Sequence, residues 1–126
     1  MITCGLYEEK RLLHVHPITP LKKSDFEEMA RTVDPFIEKT GKLNGLVIEA
    51  WDFPGWESLG AMIEHFRFIR NHHARIERVA LVTDSRLGDV AERIGSHFVS
   101  AEIRHFPAGQ LDVAEQWATD SFREGS

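Results

Sequence analysis

The sequence predicts one α/β domain with the element order ββαβαβαβα and a mixed, mostly parallel sheet. Three observations carry this. Short apolar or alternating segments take turns with longer ones whose apolar residues recur every three or four positions, the pattern of strands joined by helical crossovers. Two strand-like segments lead the chain with only a short charged link between them, which adds one antiparallel edge. A length of 126 residues suits one domain with one core. That domain is expected over 1–120, with a polar tail over 121–126.

The first strand runs from Ile2 to Tyr7, where Ile2, Cys4 and Leu6 alternate with Thr3, Gly5 and Tyr7. Glu8-Glu9-Lys10 suits a hairpin, Leu12 to His16 continues as the second strand, and Pro17 and Pro20 end it because each lacks a ladder donor. Ser24 with Glu27 has capping-box spacing, and Phe26, Met29, Ala30, Val33 and Ile37 form a helical stripe. Pro35 is expected to kink or restart that helix, and Gly41 to close it. Gly45 to Trp51 reads as a buried strand broken by Pro54-Gly55. A second helix follows near 56–58, with Leu59, Met62, Ile63, Phe66 and Ile69 or Arg70 inward and Glu64, Arg67 and Asn71 outward. Val79 to Thr83 is the most hydrophobic strand and is expected at the sheet centre. Asp84 or Ser85 caps a third helix carrying Leu87, Val90, Ala91, Ile94 and Phe98. Ala101 to Phe106 suits an edge strand, and after Pro107-Ala108-Gly109 a last helix presents Leu111, Val113, Ala114 and Trp117.

Composition narrows the function classes. A hydrophobic fraction of 42% and a charged fraction of 28% are those of an ordinary globular protein, neither disordered nor membrane-spanning. The net charge of -5, from 15 basic and 20 acidic residues, argues against a nucleic-acid binder, which needs a basic field. No apolar run approaches the roughly 20 residues of a membrane span, and the first residues lack the pattern of a secretory signal. The single cysteine, Cys4, is consistent with a reducing compartment, so the cytoplasm is the expected location.

Chemistry-bearing residues are few. Asp52 and Asp84 both fall beyond carboxyl ends of strands, where ligands collect in open parallel sheets. They suit either a metal or shared proton, or, more simply, a turn and a helix cap. A phosphoacceptor receiver domain is excluded, because its acidic cluster after the first strand and its late lysine are missing. His14 and His16 share a strand face, and Cys4 on the neighbouring strand is a third zinc-ligand type; the plainer reading is packing, and no metal is expected. His72-His73 suit a helix C-terminus, while His65, His97 and His105 have no assignable partner. No GxGxxG, P-loop or GxSxG motif occurs, and Cys4 lies on a strand rather than at a helix start. Neither catalysis nor a cofactor is expected.

The informative stretch is Trp51-Asp52-Phe53-Pro54-Gly55-Trp56. Three large aromatics in six residues either cap one end of the core or form a ligand pocket, a membrane-facing patch or a partner-facing patch. Phe68 lies off the predicted stripe of the second helix, so it is expected to point outward and join them. The free amides at this helix start suit an anionic group. The candidate binding site is therefore Trp51, Asp52, Phe53, Trp56, Glu57, Ser58 and Phe68.

With these residues in view, the chain resembles the SpoIIAA-like proteins, relatives of the STAS (sulfate transporter and anti-sigma factor antagonist) domains. The resemblance extends from Leu12 to Trp117. Its carriers are Gly41-Lys42, Phe53-Pro54-Gly55-Trp56, Ile76 to Val82, Glu102-Ile103-Arg104-His105-Phe106 and Ala114-Glu115-Gln116-Trp117. It implies successive β-α units with helices mainly on one face of the sheet, an outline shared with CRAL-TRIO lipid-binding domains. It also implies a non-enzymatic role, lipid or peripheral membrane association, and homo-oligomers. Anti-sigma factor antagonists carry Asp-Ser-[Ser/Thr]-Gly-Leu at the start of the second helix. This chain reads Gly55-Trp56-Glu57-Ser58-Leu59-Gly60, which puts Glu57 at the phosphoacceptor and Ser58 at the glycine. Glu57 brings a fixed charge, and Ser58 is either an off-register acceptor or a helix cap.

Two readings of function follow. The first is a regulatory domain that binds a lipid-like or apolar small molecule, or a membrane surface, near residues 51–58. The second is a STAS-type protein–protein interaction module without the usual phosphoacceptor serine.

Overall fold

Five strands form one sheet in the order β1-β2-β3-β4-β5: β1 (Ile2–Tyr7), β2 (Leu12–Pro17), β3 (Leu43–Glu49), β4 (Ile76–Val82) and β5 (Glu102–Phe106). The computed structural model describes residues 2–50, 55–83 and 101–124 of the chain. β1 pairs antiparallel with β2 along its whole length, from Ile2 opposite Pro17 to Tyr7 opposite Leu12. The remaining three pairings are parallel. The sheet is thus mixed and mostly parallel, with the leading hairpin at one edge and β5 at the other.

The hairpin turns through Glu8–Lys10, one turn of 3-10 helix, and closes on Arg11 with φ 51. That left-handed conformation is costly for a residue with a Cβ. The Arg11 carbonyl accepts from the amides of Asn44 (2.9 Å) and Gly45 (3.3 Å), so hydrogen bonds to β3 hold it in place. β3, rather than β4, takes the central position. Its Leu43 and Val47 are fully buried because sheet and helices cover them on all sides.

Helices α1 (Lys23–Thr40) and α2 (Leu59–His72) are crossovers, and α3 (Leu111–Glu124) follows the last strand. α1 begins before the expected Ser24. The Lys22 amide donates to Asp25 Oδ2 at 2.8 Å, so the buried Asp25 carboxylate satisfies the first turn. The helix also runs through Pro35 without restarting; Pro35 is exposed, and only one backbone bond is forfeited there. Gly41 ends it as expected, with φ 93 and its amide bonded to the Ile37 carbonyl at 2.7 Å. α3 continues to Glu124, into the segment expected as tail.

Side chains alternate across each strand, so the sheet has two cores. Leu13, Val15 and Leu46 face α1 and α2, where Phe26, Met29, Val33, Phe36, Ile37 and Phe68 meet them. Leu12, Val47, Ala80 and Val82 face α3 and pack on Ala114 and Ala118. β2-α1-β3 and β3-α2-β4 step the same way along the sheet, and right-handed crossovers then place both helices on one face. α3 has no following strand to reach and covers the other. Two of the three described helices therefore share a face. The helix expected after Asp84, with Leu87, Val90, Ala91, Ile94 and Phe98, lies outside the described residues.

α3 approaches β3 unusually closely. A Cβ on Gly45 would stand 2.6 Å from the Ala118 carbonyl oxygen and 2.7 Å from its Cβ, distances real side chains do not occupy. The obstacle is helix backbone, which cannot swing aside. Gly45→Ala is therefore expected to cost about 1–3 kcal/mol, measured as a lower urea midpoint with an unchanged slope. A midpoint equal to wild type would show that α3 does not bear on β3 as described.

Candidate functional site

The turn before α2 is fastened to the chain segment before α1. The Leu21 amide donates to the Gly55 carbonyl and the Glu57 amide donates to the Leu21 carbonyl, both at 2.8 Å. This is a one-residue parallel bridge between Leu21 and Trp56. Leu21 is buried, so the bridge also anchors the turn in the core. Gly55 reaches it with φ 84, a conformation that favours glycine. Ser58 is the N-cap of α2: its Oγ accepts from the Ala61 amide at 3.1 Å. Glu57 reaches back toward Lys22, with 3.8 Å between the charged atoms, and both side chains stay exposed. Lys22, Lys23, Ser24, Glu27, Glu57 and Ser58 line a shallow open cleft of about 360 Å³ where the two helix starts meet. Trp51, Asp52 and Phe53 lie outside the described residues.

Trp56 is half-buried rather than displayed. Its indole Nε1–H donates to Nδ1 of His65 at 3.0 Å, and its ring meets Phe66 edge-on at 6.0 Å. His65 in turn stacks on Phe26 of α1, with 4.8 Å between centroids and 17° between planes. Burial holds its pKa down at about 4, because the charged ring would lose its hydration. A ring that accepts at Nδ1 and stays neutral carries its proton on Nε2. The result is a column of Trp56, His65 and Phe26 joining the turn, α2 and α1.

This column sets the rotation of α2, which is turned from the one expected, although Arg67 and Asn71 are exposed as expected. Ala61, Phe68 and His72 are buried, with His65 close behind. Phe68, expected to point outward, is 8% exposed and stacks on His72 at 4.0 Å. His72 Nε2 lies 2.6 Å from Asp34 Oδ1 on α1, and its Nδ1 lies 2.8 Å from the Phe68 carbonyl. Leu59, Ile63 and Phe66, expected inward, are 68%, 47% and 53% exposed. The helix carries two stripes at helical spacing. Hydropathy favours 59-62-63-66, while the stripe 61-65-68-72 includes two histidines whose partners are visible only in three dimensions. Phe68 therefore leaves the candidate site, and Leu59, Ile63 and Phe66 enter it.

The other chemistry-bearing residues scatter. Cys4 stands opposite Val15 and shares its face beneath α1, whereas His14 and His16 face the other way. The zinc trio weighed from the sequence does not assemble, and the described residues hold no group of three that suits a metal ion. The Cys4 thiol pKa is raised by burial and by nearby Glu28 and Asp25, which keeps it protonated and unreactive. His14 Nε2 pairs with Glu49 Oε1 at 3.1 Å, and His105 Nε2 lies 2.6 Å from the Thr83 carbonyl. Asp84 and His97 lie outside the described residues. No helix among the described residues is long and apolar enough to cross a membrane.

Comparison with known proteins agrees with this architecture. The family model described as SpoIIAA-like matches residues 12–119. No curated protein sequence matches the chain. The fold is similar to the crystal structure of an uncharacterised DUF3478-family protein with a SpoIIAA-like fold from Shewanella loihica PV-4. The TM-score is 0.74 and the identity 21%, over 93% of each chain.

The neutral His65 has a consequence for stability. Its pKa is lowered from 6.5 to about 4 on folding, so between those values the unfolded chain binds more protons and stability falls as pH falls. The loss begins below about pH 6.5, is complete near pH 4, and amounts to roughly 3 kcal/mol. His65→Phe lacks this component. The difference in unfolding free energy between wild type and variant is therefore expected to shift against wild type across that window. A difference that stays constant with pH would contradict the buried neutral ring.

Proposed function

The chain belongs to the SpoIIAA-like family, and from that membership we propose that it is a non-enzymatic STAS-type protein–protein interaction module, receiving its partner on the outward face of α2 and the turn before it. One observation carries the reading: Leu59, Ile63 and Phe66 form an exposed apolar stripe on a helix whose opposite face is anchored in the core. Leaving three large apolar side chains in water is unfavourable, and such a stripe at i, i+4, i+7 is what a helical docking face presents. The anchors behind it make the surface rigid, which lowers the entropic cost of association.

The charges at the helix start fit the same role. Glu57 supplies at the phosphoacceptor position a permanent negative charge beside Lys22, so the partner would meet one electrostatic state rather than a switched one. The Ser58 hydroxyl is engaged as a cap.

A second reading, binding of a lipid or an anionic membrane surface in the manner of CRAL-TRIO-like proteins, draws on the same stripe. Arg67 and Arg70 are exposed near it. The cleft beside the turn favours it less, because charged and hydroxyl side chains line it rather than apolar ones.

A photo-cross-linking residue at Phe66 is expected to give one discrete protein adduct in cells, and the same residue at the exposed Glu38 of α1 none. Adding Ile63→Glu should reduce the adduct at least about tenfold while moving stability by no more than ~0.5 kcal/mol, since the side chain is half in water already. No adduct at Phe66, or one indifferent to Ile63→Glu, would sink the partner reading. Co-sedimentation with anionic vesicles that Ile63→Glu abolishes would then establish the lipid one.

A further inference from the structure

The exposed stripe of α2 ends in a charge. Leu59, Ile63, Phe66 and Arg70 follow one another at intervals of four, three and four residues, the repeat of the d and a positions in a coiled-coil seam. At about 100° per residue, Leu59 and Arg70 differ by only about 20° around the helix, so Arg70 continues the apolar line rather than flanking it. All four are exposed, while Ala61, Phe68 and His72 are buried on the opposite side. Arg67 is paired with Glu64, but Arg70 makes no ion pair among the described residues. From His65 to its end α2 holds two arginines and no acid, in a chain of net charge -5.

We infer, on the strength of the docking role proposed above, that the partner presents to α2 an antiparallel amphipathic helix with a carboxylate followed by large apolar residues four, seven and eleven positions later. An antiparallel seam sets each a position against a d position of the other helix. The intervals of α2 are then met in reverse: the carboxylate faces Arg70, and the apolar residues face Phe66, Ile63 and Leu59. Packing takes the Arg70 guanidinium out of water, which is costly without a partner, and a carboxylate matches its fork of donors. The antiparallel sense also places that carboxylate near the positive end of its own helix dipole and sets the two dipoles head to tail.

The stripe suits one helix better than a bilayer. Its three apolar side chains span an arc of about 60°, the width of a seam, whereas a helix lying in a membrane surface presents an apolar face of about 100° or more. The net charge of -5 also opposes an anionic surface. Phe66 is held ready as a knob, because its ring meets Trp56 edge-on and stacks on His65, both at 6.0 Å. A seam about 16 Å long buries less than a standard interface of about 1,600 Å², so the complex is weak enough for one charge pair to matter.

Binding of a synthetic peptide to the full chain tests this. The probe is roughly 20 residues long, enough to form a helix, with glutamate at one position, leucine four, seven and eleven positions later, and alanine and glutamine elsewhere. Fluorescence anisotropy is expected to show saturable binding that weakens about tenfold when lysine replaces that glutamate, or when the chain carries Arg70→Glu. Combining the two changes should restore it, and Ile63→Glu should abolish it. Arg70 is exposed, so circular dichroism of Arg70→Glu should match wild type; if that variant fails to fold, the lysine peptide against wild type decides the question. In cells, the segment cross-linked at Phe66 should show the same spacing when mapped by mass spectrometry. A peptide that does not bind, binding indifferent to either charge, or a cross-linked segment with no carboxylate ahead of its apolar residues would overturn the inference and leave the docking role standing. Absence of any adduct at Phe66 would remove the docking role and the inference together.

Discussion

The stack of Trp56, His65 and Phe26 governs how α2 sits, and much else depends on how α2 sits. An uncharged imidazole can be both an aromatic surface for Phe26 and a hydrogen-bond acceptor for the indole of Trp56. A phenylalanine would supply the first and not the second; a charged histidine would have no lone pair to offer. Burial keeps the ring neutral, and the neutral ring justifies the burial. With that column set and His72 held at Asp34 one end further along, the helix has no freedom to turn its larger apolar stripe inward. Leu59, Ile63 and Phe66 are left in water as the geometric remainder of a choice made elsewhere.

The two faces of the sheet are packed by different means. The α1 and α2 face uses large side chains, Phe26, Phe36, Phe68, Met29 and Ile37, which hold the helices away from the strands. The α3 face uses Ala80, Ala114 and Ala118 with Gly45, so helix backbone and strand nearly touch. Arg78 seals one border, donating to the Trp117 carbonyl at 2.8 Å while lying over the Trp117 ring. Large side chains tolerate small adjustments because they can change rotamer. Backbone-to-backbone contact cannot, which is why a single methyl group at Gly45 matters more than a methyl group in most of the other core.

α1 separates the β1 edge from the α2 stripe. Its inner side packs both, through Asp25 near Cys4 and Phe26 beneath His65.

Hydropathy and turn chemistry alone determined the fold class, the antiparallel first hairpin, the edge position of β5 and the closure of α1 at Gly41. Each follows from local patterns that the backbone must obey wherever it is placed. The start of α1 was less legible, because Asp25 caps from within the helix where Ser24 and Glu27 offer the more familiar spacing. The start of α2 was legible in part. Trp56, Glu57 and Ser58 do meet at a helix start, but Leu21, which straps them, is too distant in sequence to be associated with them. Phe68 and the 59-63-66 stripe exchanged places for the same kind of reason. A one-dimensional pattern ranks faces by hydrophobicity, whereas the folded chain ranks them by the partners each side chain finds. His65 and His72 count as polar in the first ranking and as well-packed, satisfied rings in the second. Only the tertiary structure supplies Phe26 and Asp34, so only it could decide which face of α2 meets the core and which stays exposed.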